Sequence, residues 1–326
     1  MENLLWIEKY RPKIFKDIIG QNRNIQLIEK MIENGSLPHL LFNGKSGTGK
    51  TSTIMAIANK LYGKNKTFMV MKLDASDDRG INSVRDEIKG FAEKMTIFNK
   101  GIKLIILDEA DSMTFDAQFA LRRIIEKYSD TTRFCLICNY ENKIIPAIKA
   151  RCINLRFVPI NKNVIIDKLQ YICNAEKFRC SLKSLNVIAD LSNGDLRKAI
   201  NLLQSISMRN KNITEKLCYK TAGIPSLKIV ESLYKILVDK DIDFKTTYEK
   251  VDKIIIKTGV SLSLLLRQLT TVITNHIREI DVDILANYLN ELAFLESAVS
   301  NSTFGSIYII SLVSIFKKNN NIEISV

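Results

Sequence analysis

The chain has 326 residues, 46% hydrophobic and 25% charged, with 48 Lys plus Arg against 35 Asp plus Glu and a net charge of +13. That much apolar mass supports two or three packed domains and excludes a disordered polyelectrolyte. No apolar run is long enough to span a bilayer, and six scattered cysteines without a signal-peptide pattern at the start exclude a disulfide scaffold, so an intracellular, reducing setting is expected. The basic balance reads either as a polyanion partner, nucleic acid above all, or as the mark of a genome rich in Lys, Asn and Ile codons.

In chain order, Pro12 and Gly20 interrupt the segment from Leu4 to Gln21 and argue against one continuous helix. A helix is expected from Asn22 to Glu33, stopped by Asn34-Gly35. The apolar run His39-Leu40-Leu41-Phe42 leads into Gly44-Lys45-Ser46-Gly47-Thr48-Gly49-Lys50-Thr51, and a helix follows from Ser52 to Leu61. Strand, G-x-x-x-x-G-K-T loop and helix together make a phosphate cradle. The glycines let several backbone N–H groups turn toward one phosphate chain, and the helix N-terminus adds partial positive charge. Lys50 reaches the β- and γ-phosphates, and the Thr51 hydroxyl can ligate Mg²⁺.

Phe68 to Leu73 reads as a strand, followed by a polar turn from Asp74 to Gly80 and a helix from Ile81 to about Lys94. Arg79, Arg85 and Lys89 lie in and after that turn. Leu104-Ile105-Ile106-Leu107-Asp108-Glu109 reads as a strand buried on both faces and ending in carboxylates. In a nucleotide-binding sheet the first carboxylate sits beside Mg²⁺ and the second can polarise the attacking water. A helix from about Asp111 to Tyr128 carries Gln118, Arg122 and Arg123. Phe134 to Cys138 is a fourth strand, and Asn139 at its end falls on the ligand-binding edge of an α/β sheet. Cys135 and Cys138, three apart on that strand, face opposite sides and should share neither a metal nor a disulfide. Ile153 to Phe157 is a fifth strand, after Ala150-Arg151-Cys152. Alternation of strands and helices predicts an α/β domain with a mostly parallel sheet covered on both faces.

After Pro159 the sequence predicts helices and no strands: Asn163 to Glu176, Leu182 to Leu191, and Asp195 to about Met208. Beyond Pro225, helices are expected at about 228–238, 244–255, 262–279, 282–300 and 302–316. The domain boundaries read as 1–160, 161–224 and 225–326.

Seven motifs, in order and at fitting intervals, extend the signal beyond the phosphate loop: Trp6 to Pro12, Asp17 to Gly20, Asp74 to Ile81, Leu107 to Met113, Cys138 to Tyr140, Ala150 to Cys152, and Gly194 to Lys198. With them the chain resembles the small subunits of replication factor C, the sliding-clamp loader among the AAA+ ATPases. The resemblance implies an AAA+ P-loop domain with a parallel sheet, a small helical lid and an all-α collar. It implies ATP and Mg²⁺ as ligands. Ile7, Tyr10, Arg11, Pro12 and Ile19 would contact the adenine, and Gly44 to Ser52 would hold the phosphates. Thr51 and Asp108 would hold Mg²⁺, Glu109 would be the catalytic carboxylate, Asn139 a first sensor, and Arg197 a second sensor from the lid. Arg151, in Ala-Arg-Cys where the family has Ser-Arg-Cys, would be an arginine finger acting in trans on a neighbouring subunit's ATP.

The same resemblance implies a hetero-oligomeric ring, a pentamer, that opens a sliding clamp and places it on primer–template DNA. Arg79, Arg85, Lys89, Ser112 and Thr114 would track DNA phosphates without reading sequence. Met95, Ile97 and Phe98 would face the clamp, though core packing explains them equally well. The helix carrying Gln118 would couple DNA contact to Glu109. A nuclear location would follow for a eukaryotic source, a cytoplasmic one for an archaeal or viral source. Two other readings stay open: another AAA+ DNA machine, such as a branch-migration motor or an initiator, and a non-hydrolysing structural subunit.

Overall fold

The computed structural model describes residues 5–75, 80–93, 101–210, 212–276, 282–301 and 307–320, with backbone only at 80–85 and 319–320. Arg79, Met95, Ile97 and Phe98 lie outside the described residues, as does the side chain of Arg85. The chain divides into two compact units, Met1–Asn212 and Ile213–Val326.

The first unit is built on five parallel strands, β1 (Leu40–Gly44), β2 (Val70–Asp74), β3 (Lys103–Asp108), β4 (Thr132–Cys138) and β5 (Ile153–Phe157), in the order β2-β3-β4-β1-β5. Because all run the same way, the carboxyl ends of β1, β2, β3 and β4 share one edge, where ligands of α/β sheets bind.

Side chains alternate along each strand and build two cores. Leu40, Phe42, Leu104, Ile106, Cys135 and Ile137 pack with Ile25 and Ile28 of α1 (Asn22–Glu33) and Ile54 and Ile57 of α2 (Lys50–Tyr62). Leu41, Ile105, Leu107, Phe134, Leu136 and Cys138 face the other way. They pack with Ile88 of α3 (Gly80–Glu93) and Leu121, Ile124 and Ile125 of α4 (Phe115–Lys127). Each such aliphatic side chain contributes about 1.5–3 kcal/mol by burial. Cys135 and Cys138 fall in opposite cores, as the two-residue period of a strand requires.

Three helices complete the unit: α5 (Lys162–Ala175), α6 (Leu182–Ser192) and α7 (Leu196–Arg209). They bury Ile165, Leu169, Ile172, Leu185, Ile188 and Leu203. Asn161, Ser181 and Asp195 cap them, each accepting a backbone N–H within the first turn. The second unit is helical: α8 (Glu215–Ala222), α9 (Leu227–Val238), α10 (Phe244–Thr258), α11 (Leu262–Asn275), α12 (Val282–Ser300) and α13 (Ile307–Asn320). Its core joins Val230, Leu233, Val251, Leu269, Tyr288 and Phe316.

The structure differs from the sequence reading or adds detail to it in four places. The second strand starts at Val70, because Lys66–Met69 closes a helical turn that its apolar residues disguise as strand. Trp6–Lys9 forms a single turn. Helix α8, ended by Gly223 at φ 68°, is too short for a clear 3.6-residue period. Two-residue strands occur at Arg179–Cys180 and Asn212–Ile213, where no strand is expected because two residues carry no period.

Candidate functional site

A cleft of about 460 Å³ opens at the carboxyl edge of the sheet. Its floor is the loop between β1 and α2, whose shape depends on glycines. At Gly44 an added Cβ would lie 2.2 Å from the Phe157 carbonyl oxygen, and at Gly47 one would lie 1.7 Å from Asp195 Oδ1. Gly47 also adopts φ 67°, in the left-handed region that side chains disfavour. Its carbonyl accepts the Leu196 N–H at 3.3 Å, which docks the first turn of α7 on the loop. Buried Gln21 supports the loop from behind, donating to the carbonyls of Thr48 (3.3 Å) and Val158 (2.7 Å).

Lys50, 7% exposed, folds back over the loop. Its Nζ donates to the Gly44 carbonyl (2.5 Å), the Lys45 carbonyl (2.9 Å) and Asn139 Oδ1 (3.0 Å). Burial holds its pKa below the ordinary lysine value, against the pull of Cys138, Asp108 and Asp111. Gly44 and Lys45 thus serve through their carbonyls, whereas Ser46 to Ser52 line the cleft itself.

Thr51 Oγ1 donates to Asp108 Oδ2 at 3.1 Å, and Lys72 Nζ lies 3.4 Å from the same oxygen. A hydroxyl and a carboxylate at the cleft wall suit a hard cation that takes one or two protein oxygens and completes its shell with phosphate and water. Glu109 follows at φ 54°, left-handed without being glycine. Ser112 holds it there, donating to the Glu109 carbonyl from N (2.9 Å) and Oγ (2.8 Å). Such local strain is characteristic of functional positions. Asn139 is fixed by Asp111 Oδ2, which accepts the N–H groups of Asn139 (3.2 Å) and Tyr140 (3.1 Å).

The opposite wall comes from the N-terminal segment and the three-helix group. Ile7, Tyr10, Arg11, Pro12 and Ile19 line it with Ile18, Ile160 and Ile200, an apolar slot suited to a flat ring. The Trp6–Lys9 turn is docked on the helices: Trp6 stacks on Phe178 with centroids 5.5 Å apart, and its backbone N–H donates to Gln204 Oε1 at 3.0 Å. Lys9 Nζ and Tyr10 Oη both reach Glu176 Oε1 at 2.5 Å. Burial and the Glu176 carboxylate push the Tyr10 phenol well above its ordinary value, so it stays a donor. Arg197, in the first turn of α7, also lines the cleft.

Other residues singled out in the sequence sit elsewhere. Arg151 is not on this cleft; it donates to the Ala147 carbonyl at 2.6 Å and pairs with Glu126, which also takes Arg122 at 3.2 Å. Lys89 is exposed on α3. The Thr114 hydroxyl caps α4 by accepting the Ala117 N–H at 3.3 Å. Lys72, Asp74, Gln21 and Glu176 complete the surroundings and were not singled out. Lys72 and Asp74 had a readable signal, a same-face pair at the end of a strand; Gln21 and Glu176 act only through contacts distant in sequence.

Three family models match the chain. Residues 40–160 match the ATPase family associated with various cellular activities, 167–208 the RCF1/5-like AAA+ ATPase lid domain, and 225–314 the replication factor C C-terminal domain. "Probable replication factor C subunit 5" of Dictyostelium discoideum is 44% identical, covering 99% of this chain and 93% of its own length. Replication factor C subunit 5 of Homo sapiens is 39% identical, over 100% of this chain and 95% of its own. The replication factor C small subunit of Sulfurisphaera tokodaii is 38% identical, over 90% of each. Among solved structures, the Thermotoga maritima RuvB Holliday junction branch migration motor superposes with a TM-score of 0.52 over 78% of this chain and 88% of that one. Its 16% identity makes that a likeness of fold. Full-length identity of this order to replication factor C subunits, with all three domain models in sequence, shows that the chain belongs to the replication factor C family of AAA+ ATPases.

Proposed function

We propose that the chain binds and hydrolyses ATP as one subunit of a multi-subunit loader that opens a ring-shaped sliding clamp and closes it on primed DNA. The observation that carries this reading is the pairing of Lys50 with Asn139 and of Thr51 with Asp108 on one cleft wall, facing the apolar slot of Tyr10, Pro12 and Ile19. One wall suits a phosphate chain and the other a purine.

In this reading the N–H groups from Gly47 to Thr51 hold the phosphates, and Lys50 exchanges its carbonyl partners for β- and γ-oxygens. Thr51 and Asp108 would hold Mg²⁺, which would supply positive charge against the phosphates. Glu109 accepts the proton of the attacking water, with Asn139 orienting that water or sensing the γ-phosphate. Arg197 reaches the phosphates from α7. Arg151 leaves Glu126 to reach a neighbouring subunit's ATP, which requires a ring of subunits; a finger of this kind contributes about 10³–10⁵ in rate.

Lys89, with Arg79, Arg85 and the N-terminal end of α4 at Ser112 to Thr114, forms the path for DNA phosphates. Met95, Ile97 and Phe98 meet the clamp. The RuvB likeness favours a branch-migration motor no further than the shared fold, since identity at full length runs to replication factor C subunits instead. A purely structural subunit would have no use for Lys50, Asp108, Glu109 and Asn139 together on one cleft.

The test is retention of a fluorescent clamp on primed DNA circles by the assembled complex. ATP-dependent retention that is lost in Lys50→Ala and in Glu109→Gln complexes is expected. Retention without ATP, or unaffected by both substitutions, contradicts the reading.

A further inference from the structure

Lys72 is a cation that the nucleotide mechanism above does not use. It lies on β2, the edge strand, two residues before Asp74 and on the same face. β2 and β3 run in register, with Asp74 opposite Asp108 and Lys72 opposite Ile106, so Lys72 and Asp74 flank Asp108 from the neighbouring strand. Both line the cleft.

Lys72 Nζ sits 3.4 Å from Asp108 Oδ2, the same oxygen that accepts the Thr51 hydroxyl. That oxygen is the one a metal shared by Thr51 and Asp108 would need. The other cleft lysine is engaged differently: Lys50 Nζ is held by the carbonyls of Gly44 and Lys45 and by Asn139. The cleft therefore carries two ammonium groups with separate partners, one on the phosphate loop and one on the metal carboxylate. The Lys72 side chain is 43% exposed and that of Asp108 17%, so the ammonium can leave on its flexible stem while the carboxylate stays.

We propose that Lys72 is a tethered stand-in for the divalent cation at Asp108, and that it sets how strongly nucleotide binding depends on Mg²⁺. The proposal rests on the reading of the cleft as a nucleotide site. Without metal, the Lys72 ammonium neutralises Asp108 and spares an incoming polyanion a bare carboxylate. With Mg²⁺ at Asp108, Lys72 would have to give up Oδ2. Lys72 therefore favours metal-free binding and competes with metal-assisted binding, and it narrows the gap between them. Lys72 is a positioning residue in this scheme; it touches neither the phosphates nor the attacking water.

The experiment is binding of a fluorescent ATP analogue to the full chain in its assembled complex, in EDTA and across a MgCl₂ titration, for the unsubstituted protein, Lys72→Met and Lys72→Arg. In Lys72→Met the half-saturating Mg²⁺ concentration should fall about three-fold or more, and the ratio of affinities with and without Mg²⁺ should rise by a similar factor, as expected for a partly buried ion pair. Lys72→Arg should behave like the unsubstituted protein, since the charge is kept. A ratio that stays the same in Lys72→Met overturns the proposal, as does an equal loss of affinity in both conditions, which would mark a phosphate contact or a structural role. If the unsubstituted complex binds no nucleotide in either condition, the nucleotide reading itself fails, and that result is separate from the other two.

Discussion

At Lys50 one ammonium takes three oxygens in a site that disfavours its charge, and nucleotide phosphates are a stronger partner than two carbonyls and an amide. Lys50→Ala should therefore lower ATP affinity by at least about 10²-fold, given the worth of hydrogen bonds to charged groups. Fluorescence anisotropy checks this, and affinity within a few-fold of the unsubstituted protein contradicts it. Arg151 should separate binding from chemistry. It stands off the cleft against Glu126 and Ala147, so Arg151→Ala should leave ATP affinity unchanged and lower kcat of the complex by roughly 10³. Loss of affinity in that variant would place the arginine in its own subunit's cleft. The residues of the phosphate loop and the two carboxylates were legible because a motif fixes both residue type and flank. Gln21 and Glu176 were not, because contacts far apart in sequence create their roles.

Among the elements, α4 carries a connection that a helical pattern alone would assign to packing. Gln118 is 1% exposed; it donates to the carbonyls of Met113 (3.2 Å) and Lys143 (2.9 Å) and accepts the Ile145 N–H (2.9 Å). It thus joins the start of α4, near the Glu109 turn, to the segment that follows Asn139. In Gln118→Ala, DNA stimulation of ATPase activity should fall several-fold while ATP affinity holds; undiminished stimulation would show that α4 does not couple DNA to the site. The entry to β1 makes a different prediction. His39 Nδ1 accepts the Phe134 N–H at 3.1 Å, and burial, with Arg133 nearby, lowers its pKa to about 4. Between the ordinary value of 6.5 and 4 the unfolded chain binds the extra proton, so stability is full above 6.5 and is lost as pH falls toward 4. The loss approaches about 1.4 kcal/mol per pH unit. Urea unfolding from pH 7 to 5 should show this component in the protein and not in His39→Gln; identical slopes contradict it. All five strands of the parallel sheet were readable from apolar runs or alternation, whereas the Lys66–Met69 turn and the two-residue strands lacked the length for any period to show.

For the whole molecule, the domain models match the two units in order, with the ATPase and lid regions in the first and the replication factor C C-terminal region in the second. The net charge of +13 acquires a use in this setting. DNA binding by the complex should weaken steeply as salt rises, with a log–log slope of several units and little dependence on sequence. A flat salt response would return the lysines to codon usage. On the proposed function, this cleft turns over ATP in the service of clamp and primed DNA. Steady-state ATPase of the assembled complex, measured with clamp and primed DNA each omitted in turn, tests it most directly. Strong stimulation is expected only when both are present, and it should be abolished by Glu109→Gln; a rate indifferent to the clamp would contradict a clamp-loading role.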